Sequence, residues 1–320
     1  MHMGKASRTK QDGDRRARIA AQREAERRAA QRKRIYWAGG GIFVVVIVVI
    51  ALVLVNLNKG SSAAPTAPTG SALTAVTKQV TNVPVSVTDQ VADGGVQKGL
   101  FVSAPTSAAI SSASTQLGSY FATVNGTALT SAGKPEVLFI GGEYCPFCAA
   151  QRWAIVNSLS RFGTFTGLKT THSSSTDTDP NTPSFTFYGS KYTSDYITFT
   201  PVEEYTNTPN GSGGYTTLQT PTAAQQAIGS QYDPNGSIPF FSIANKYVQV
   251  GNLSPLSPTM LAGKTWAQVA AAMNDPTSSL GKAIIGNANY MTAGICKVID
   301  NKATSACTPT IQKLEANLAS

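Results

Sequence analysis

Two cysteines in the run GGEYCPFC (141–148) are the residues best suited to covalent chemistry in this 320-residue chain. A Cys-x-x-Cys pair cycles between dithiol and disulfide and so acts as a two-electron switch. Residues 137–140 are strand formers too few for a helix, and Gly141 and Gly142 let the chain turn sharply where that strand ends. Pro146 suits the first turn of a following helix, and Trp153, Ile155, Val156 and Leu159 supply its buried side among Ala149, Ala150, Gln151 and Arg152. That order places Cys145 at or just before the helix N-terminus, where unpaired N–H groups and the dipole favour a thiolate. Cys145 is the candidate nucleophile, and Cys148, one turn on, closes the disulfide or resolves a mixed disulfide. Glu143, Tyr144, Pro146 and Phe147 are the candidate tuning residues. Phe147 adds no charge, whereas a Glu143 close to the thiol disfavours the thiolate. The same pair also suits a structural zinc half-site or an inert disulfide.

A second signal lies downstream. The run GSIPFFSIANKYVQVG (236–251) reads as two short apolar strands around Ala244 and Asn245, opened by Pro239. A proline there implies an edge strand, or a cis bond that turns the backbone toward a neighbouring site. Strand, CxxC helix, middle region, Ile-Pro hairpin and final helix together resemble the thioredoxin superfamily. That resemblance puts Cys145 and Cys148 on the active-site motif, and Ile238 and Pro239 on the cis-proline motif that aligns a substrate peptide. The runs YCPFCAAQRWAIVNSLSRFGTF and SSSTDTDPNTPSFTFYGSKYTSDYITFTPVE are also similar to domain of unknown function family 929, membrane-anchored thioredoxin-like proteins. The likeness runs from about residue 118 to the C-terminus, and it implies a fold and a chemistry rather than a biological role.

Charge is uneven along the chain. Residues 1–34 hold 12 Lys and Arg against 4 Asp and Glu, so nearly all of the net +9 sits in this tail. The tail has hardly any large apolar residue with which to build a core. Nucleic acid is one partner for such a run. Its abutment on the uncharged apolar residues 35–57, long enough for the roughly 20 that span a bilayer, argues for a membrane instead. Basic residues stay cytoplasmic, so the expectation is a single uncleaved span, N-terminus in and C-terminal domain outside.

Residues 59–78 are small, polar and proline-interrupted, and read as a flexible tether. VPVSVTDQV (83–91) suggests a strand, within a segment (79–117) that is otherwise unassigned. SYFATVNGTALTSAGKPEVLFIG (119–141) suggests a hairpin turning at Asn125-Gly126. Residues 168–171 suit the next strand. Alternating aromatics at Phe185, Phe187, Tyr188, Tyr192, Tyr196 and Phe199 then suggest an extra hairpin packed on the body, with a substrate groove as the sharper alternative. His172 has no second histidine outside the tail to build a metal site and is assigned no role. Residues 222–228 and 264–274 are helix candidates, and beyond Pro276 two more helices flank a break at 300–308.

Cys296 and Cys307 lie 11 positions apart, across the Asn301-to-Ala306 part of that break. They read as a structural disulfide from the end of one helix to the start of the next, with a redox shuttle to the CxxC pair, or zinc shared by all four cysteines, as alternatives. The expected fold is α/β: a thioredoxin-like mixed sheet flanked by helices (118–275), a β-rich insertion (about 174–215) and a helical C-terminal appendage (276–320). Ahead of it come the basic tail (1–34), the transmembrane helix (35–57) and a linker (58–117). The expected function is a membrane-anchored extracytoplasmic thiol:disulfide oxidoreductase, weakly oxidising or isomerase-like, with no metal and no cofactor. Its partners would be proteins carrying thiols or disulfides outside the cytoplasm and a redox partner the sequence does not identify. The alternative is a non-catalytic binding or assembly module with structural disulfides.

Overall fold

The computed structural model describes residues 65–103 and 119–318. The basic tail and the apolar segment 35–57 lie outside the described residues, and no described helix is long and apolar enough to cross a membrane. The described residues all belong to one unit, Ala63–Ser320.

Two helices, α1 (Gly70–Thr81) and α2 (Val85–Val91), precede β1 (Phe101–Ser103), β2 (Tyr120–Thr123), β3 (Thr130–Ser131) and β4 (Lys134–Gly141). α3 (Pro146–Ser160) follows, then β5 (Gly163–Thr166), β6 (Lys169–His172), β7 (Pro183–Thr186) and β8 (Lys191–Ser194). Next come β9 (Thr198–Glu203), β10 (Tyr205–Pro209), β11 (Tyr215–Thr217) and α4 (Ala223–Tyr232). The hairpin β12 (Phe240–Ile243) and β13 (Tyr247–Val250) leads to α5 (Trp266–Met273), α6 (Ser279–Val298) and α7 (Pro309–Leu318).

The fold is mixed α/β around a mixed sheet. β4 lies between β12, its antiparallel neighbour, and β9, which runs parallel from the Glu136–Thr198 pairing to Gly141–Glu203. β13 and β2 extend the sheet antiparallel, and β1 closes it parallel to β2. The apolar run of β4 follows from cover on both faces, because successive side chains point to opposite sides. Val137 and Phe139 enter the large core with α3 and α6, whereas Leu138 and Ile140 enter a smaller one with Tyr120, Val202 and Tyr232.

Several expectations need correcting. Over residues 70–78 the tether reading gives way to α1, whose Leu73, Val76 and Val80 form a 3–4 spaced stripe with Val76 and Val80 buried, while 59–64 lie outside the described residues. Asn157 of α3 anchors it by donating to the Val80 carbonyl at 2.9 Å. VPVSVTDQV is mostly α2 and not a strand; the Asn289 amide donates to the carbonyls of Thr88 (2.9 Å) and Ala92 (2.6 Å), so tertiary bonds override its β-branched composition. Asn125-Gly126 does not join β2 to β4. Gly126 instead lies where a Cβ would stand 2.2 Å from the Asn245 amide. The turn into β4 is at Ala132-Gly133, both at positive φ (48° and 74°).

The aromatic stretch is no added hairpin either. β7 pairs with β6, β8 with β5, and β9 joins the main sheet alongside β4. Phe187, Phe199, Tyr192 and Phe165 pack ring on ring, with Phe187–Phe199 centroids 5.0 Å apart. Nor is the C-terminal part peripheral. α6 is buried from Ala283 through Cys296, and Ser158 and Thr292 share a hydrogen bond (3.0 Å) across the α3–α6 contact.

Cys296, at the end of α6, and Cys307, ahead of α7, are disulfide-bonded with Cα atoms 5.6 Å apart. Two of the four cysteines are therefore committed to each other, which rules out one zinc ion held by all four. A Cys296→Ser, Cys307→Ser double variant is expected to lose about 3 kcal/mol by thermal unfolding. It should alkylate at Cys145 as fast as the parent protein, and slowed alkylation at unchanged stability would show that the bond serves the thiols and not the fold.

Candidate functional site

Cys145 is the N-cap of α3: its backbone is extended (φ −76°, ψ 122°), and its sulfur accepts the Cys148 N–H at 3.3 Å. Pro146 occupies the first helical position, where no N–H is needed. Gly141 and Gly142 serve by close approach rather than by unusual dihedrals. A Cβ on Gly141 would stand 2.5 Å from the Phe139 ring and 3.2 Å from Cys148 Sγ, and one on Gly142 would stand 2.7 Å from the Tyr144 ring.

Backbone bonds hold the loop before Cys145 from both sides. Glu204 N–H donates to the Gly141 carbonyl (2.7 Å), Glu143 N–H to Tyr205 (2.9 Å) and Ser174 N–H to Tyr144 (2.9 Å). The Tyr144 ring stacks on Tyr215 of β11 (4.1 Å, 11°) and stands edge-on to Tyr205 of β10 (6.1 Å). The β10–β11 ribbon is thus a brace for the residue preceding the thiol.

The structure brings the second predicted motif to the first. Ile238-Pro239 is a cis peptide, and the Ile238 carbonyl lies 3.9 Å from Cys145 Sγ, facing its S–H. Asp233 at the end of α4 positions this loop by accepting the N–H groups of Asn235 and Ser237.

The two free thiols differ in environment. Cys145 is 5% exposed and Cys148 fully buried, while Phe147 between them is 43% exposed. The Cys145 thiol is held below its ordinary pKa by hydrogen bonding from the Cys148 side chain, opposed by burial and helped by the Cys148 and Phe147 amides and the Arg152 charge. Cys148 is pushed well above its ordinary value by burial first, then by the hydrogen bond and charge of Cys145. One sulfur is suited to carry the negative charge and the other to keep its proton.

Burial raises the Glu143 carboxyl above its ordinary value, opposed by the Thr186 hydroxyl and the charges of Arg152 and His172 and reinforced by Glu203. Burial, and then the charge of Cys145, raises the Tyr144 hydroxyl. His172 Nδ1 lies 2.8 Å from the Ser173 carbonyl, and the Asn207 amide of β10 donates to the His172 carbonyl at 2.9 Å.

The sequence reading missed a buried ion pair. Arg152, one turn past Cys148 on α3, donates Nε to Glu203 Oε1 (2.9 Å) and Nη2 to Oε2 (2.6 Å), and both side chains are 0% exposed. The amphipathic pattern puts Arg152 on the open side of α3, but past its first turn that helix is enclosed: Gln151, Asn157 and Ser158 are also at or below 2% exposure. Its only sequence signal is a charge at i+4 from the second cysteine.

A family model described as Domain of unknown function (DUF929) matches residues 120–297, more than half of the chain. No curated protein and no solved structure matches.

Proposed function

The chain belongs to the family of Domain of unknown function (DUF929), a kinship that carries no chemistry of its own, and from its two free thiols we propose a membrane-anchored, extracytoplasmic thiol:disulfide oxidoreductase. The observation that carries the proposal is the unequal thiol pair: Cys145 at the α3 N-cap favours the thiolate, while fully buried Cys148 favours the thiol. Cys145 attacks or is attacked, Cys148 resolves, and the backbone beside Pro239 aligns the partner's peptide.

A thioredoxin-like arrangement supports this reading. β9, β4, β12 and β13 lie in that order, the CxxC helix leaves the end of β4, and the cis Ile238-Pro239 bond opens β12. Residues 35–57 are the anchor and residues 1–34 the cytoplasmic tail. The Cys296–Cys307 disulfide supports an oxidising compartment for the rest. Direction follows from the thiols, since a stabilised Cys145 thiolate favours the reduced form and makes the pair oxidising.

The test is equilibration of the full chain with glutathione buffers, read as the two-proton mass difference between dithiol and disulfide at 145–148. The pair should exchange fully and remain partly reduced in an oxidising buffer. The small exposure of Cys145 favours a second reading, a binding module with an inert bond. A pair that never equilibrates would establish that second reading.

A further inference from the structure

A fully buried Arg–Glu pair directly behind the two thiols calls for an explanation. Removing two charges from water costs about as much as their attraction returns, and well-packed apolar residues of the same volume stabilise a core at least as well. Stability alone does not account for Arg152 and Glu203.

The surroundings of the pair point toward the cysteines. Arg152 lies four residues after Cys148 on the same helix, and its guanidinium is 5.5 Å from the Phe139 ring centroid. That ring and Cys148 Sγ converge on the same spot beside Gly141. Ser184 ties the pair to the CxxC turn: its hydroxyl donates to the Ala149 carbonyl (3.0 Å) and lies 3.5 Å from Arg152 Nη1. Glu203 is itself fixed, for Oε1 also accepts the Phe187 N–H (3.1 Å) and its own N–H donates to the Gln219 side chain (2.8 Å).

We propose that Arg152, held in place by Glu203, is a positioning residue that supplies the counter-charge for the Cys145–Cys148 dithiol and so sets how oxidising the pair is. The inference rests on the redox reading given above. In the resolving step, Cys148 sulfur attacks Cys145 Sγ of the mixed disulfide. The Cys145–Cys148 bond forms, the bond from Cys145 to the partner's sulfur breaks, and the proton lost by Cys148 leaves on the partner's thiol. Negative charge passes between three sulfurs in a site nearly closed to water, where a fixed cation has most effect. Arg152 stays charged, because burial, the largest influence on it, is outweighed by the charge and hydrogen bond of Glu203 together with the charges of Cys148 and Glu143. Its charge favours the thiolate at both cysteines. The other ionisable groups around the site are Glu143, Tyr144, His172, Asp177 and Glu204.

The experiment follows iodoacetamide alkylation of Cys145 against pH in the full chain, together with glutathione equilibration. In the parent protein the lowered pKa keeps thiolate present below the ordinary thiol midpoint of about 8.5, and the rate falls as pH drops through the lowered value. Arg152→Met with Glu203→Gln removes both charges at near-constant volume and leaves neither stranded. Its midpoint should rise by about one pH unit. At pH values well below both midpoints its rate should fall about threefold, tenfold less thiolate being partly offset by a more nucleophilic sulfur, and the pair should become less oxidising. Arg152→Lys should restore the parent midpoint at lower stability. Glu203→Gln alone supplies a test of opposite sign that survives misfolding of the double variant: the uncompensated cation should lower the midpoint. Unchanged midpoints with altered melting temperatures would overturn the inference and make the pair a packing device. A parent Cys145 that neither alkylates nor exchanges would sink the redox reading itself.

Discussion

A Cys148→Ser variant is expected to accumulate as covalent adducts with protein partners, whereas Cys145→Ser forms none and loses exchange activity by on the order of 10³-fold. The asymmetry comes from the α3 N-terminus. Cys145 Sγ accepts an amide N–H there and lies opposite the Ile238 carbonyl, while Cys148 is wholly enclosed and cannot meet a partner first. Removing Cys148 leaves attack by Cys145 possible and deletes the escape from the mixed disulfide. The measurement is a non-reducing gel followed by mass spectrometry of adducts, with the double Cys145→Ser, Cys148→Ser variant as the blank. Adducts that persist in Cys145→Ser would reverse the two roles, and adducts in neither variant would leave the inert-disulfide reading standing.

Trp153→Ala should be the most damaging single substitution to stability, at about 3–5 kcal/mol, or roughly 10 °C in melting temperature for a unit of this size. Trp153 is fully buried, packs edge-on to Phe185 (4.8 Å, 65°) and donates its indole N–H to the Pro183 carbonyl at 2.8 Å. Trp266 donates to the next carbonyl, Ser184, at 2.6 Å, so two indoles from different helices fix the start of β7. Truncation leaves both a cavity and an unpaired buried carbonyl. Trp153→Phe should retain most of the packing and lose about 1–3 kcal/mol for the stranded carbonyl alone. Thermal unfolding followed by circular dichroism decides the matter, and an alanine variant melting within two or three degrees of the parent would refute this account.

What could be read from the sequence was local. The N-cap cysteine, the proline at the first helical position and the β12–β13 hairpin all lie within a few residues of their signals. Ala244 and Asn245 do occupy the tight turn of that hairpin, at φ 50° and 54°. The helices after residue 222 and the Cys296–Cys307 bond belong to the same category. What stayed hidden depends on distant partners. Arg152 and Glu203 are 51 positions apart, and an arginine in an otherwise amphipathic pattern reads as surface until the second layer of helices is seen to enclose it. α1 looked like a tether because its two buried valines draw their stability from α3 and α5 and not from helix propensity. β9 was assigned to an insertion because a parallel strand reaches its neighbour only after a long crossover, which leaves no turn signal.

The docking of α1 and α2 also bears on modularity. The segment that defines the family begins at residue 120 and stops at 297, yet Asn157 and Asn289 inside it spend their amides on carbonyls at 80, 88 and 92, outside it. Gly286 faces the Asp93–Gly94 backbone so closely that a Cβ would lie 2.4 Å from the Asp93 carbonyl oxygen. At the other boundary Cys296 is separated from Cys307. Inheritance and folding therefore divide this chain at different places: a recombinant fragment trimmed to the shared segment would carry an odd cysteine, bare buried amides and an uncovered flank on α3, so a portable unit has to keep α1, α2 and the Cys307 segment with it.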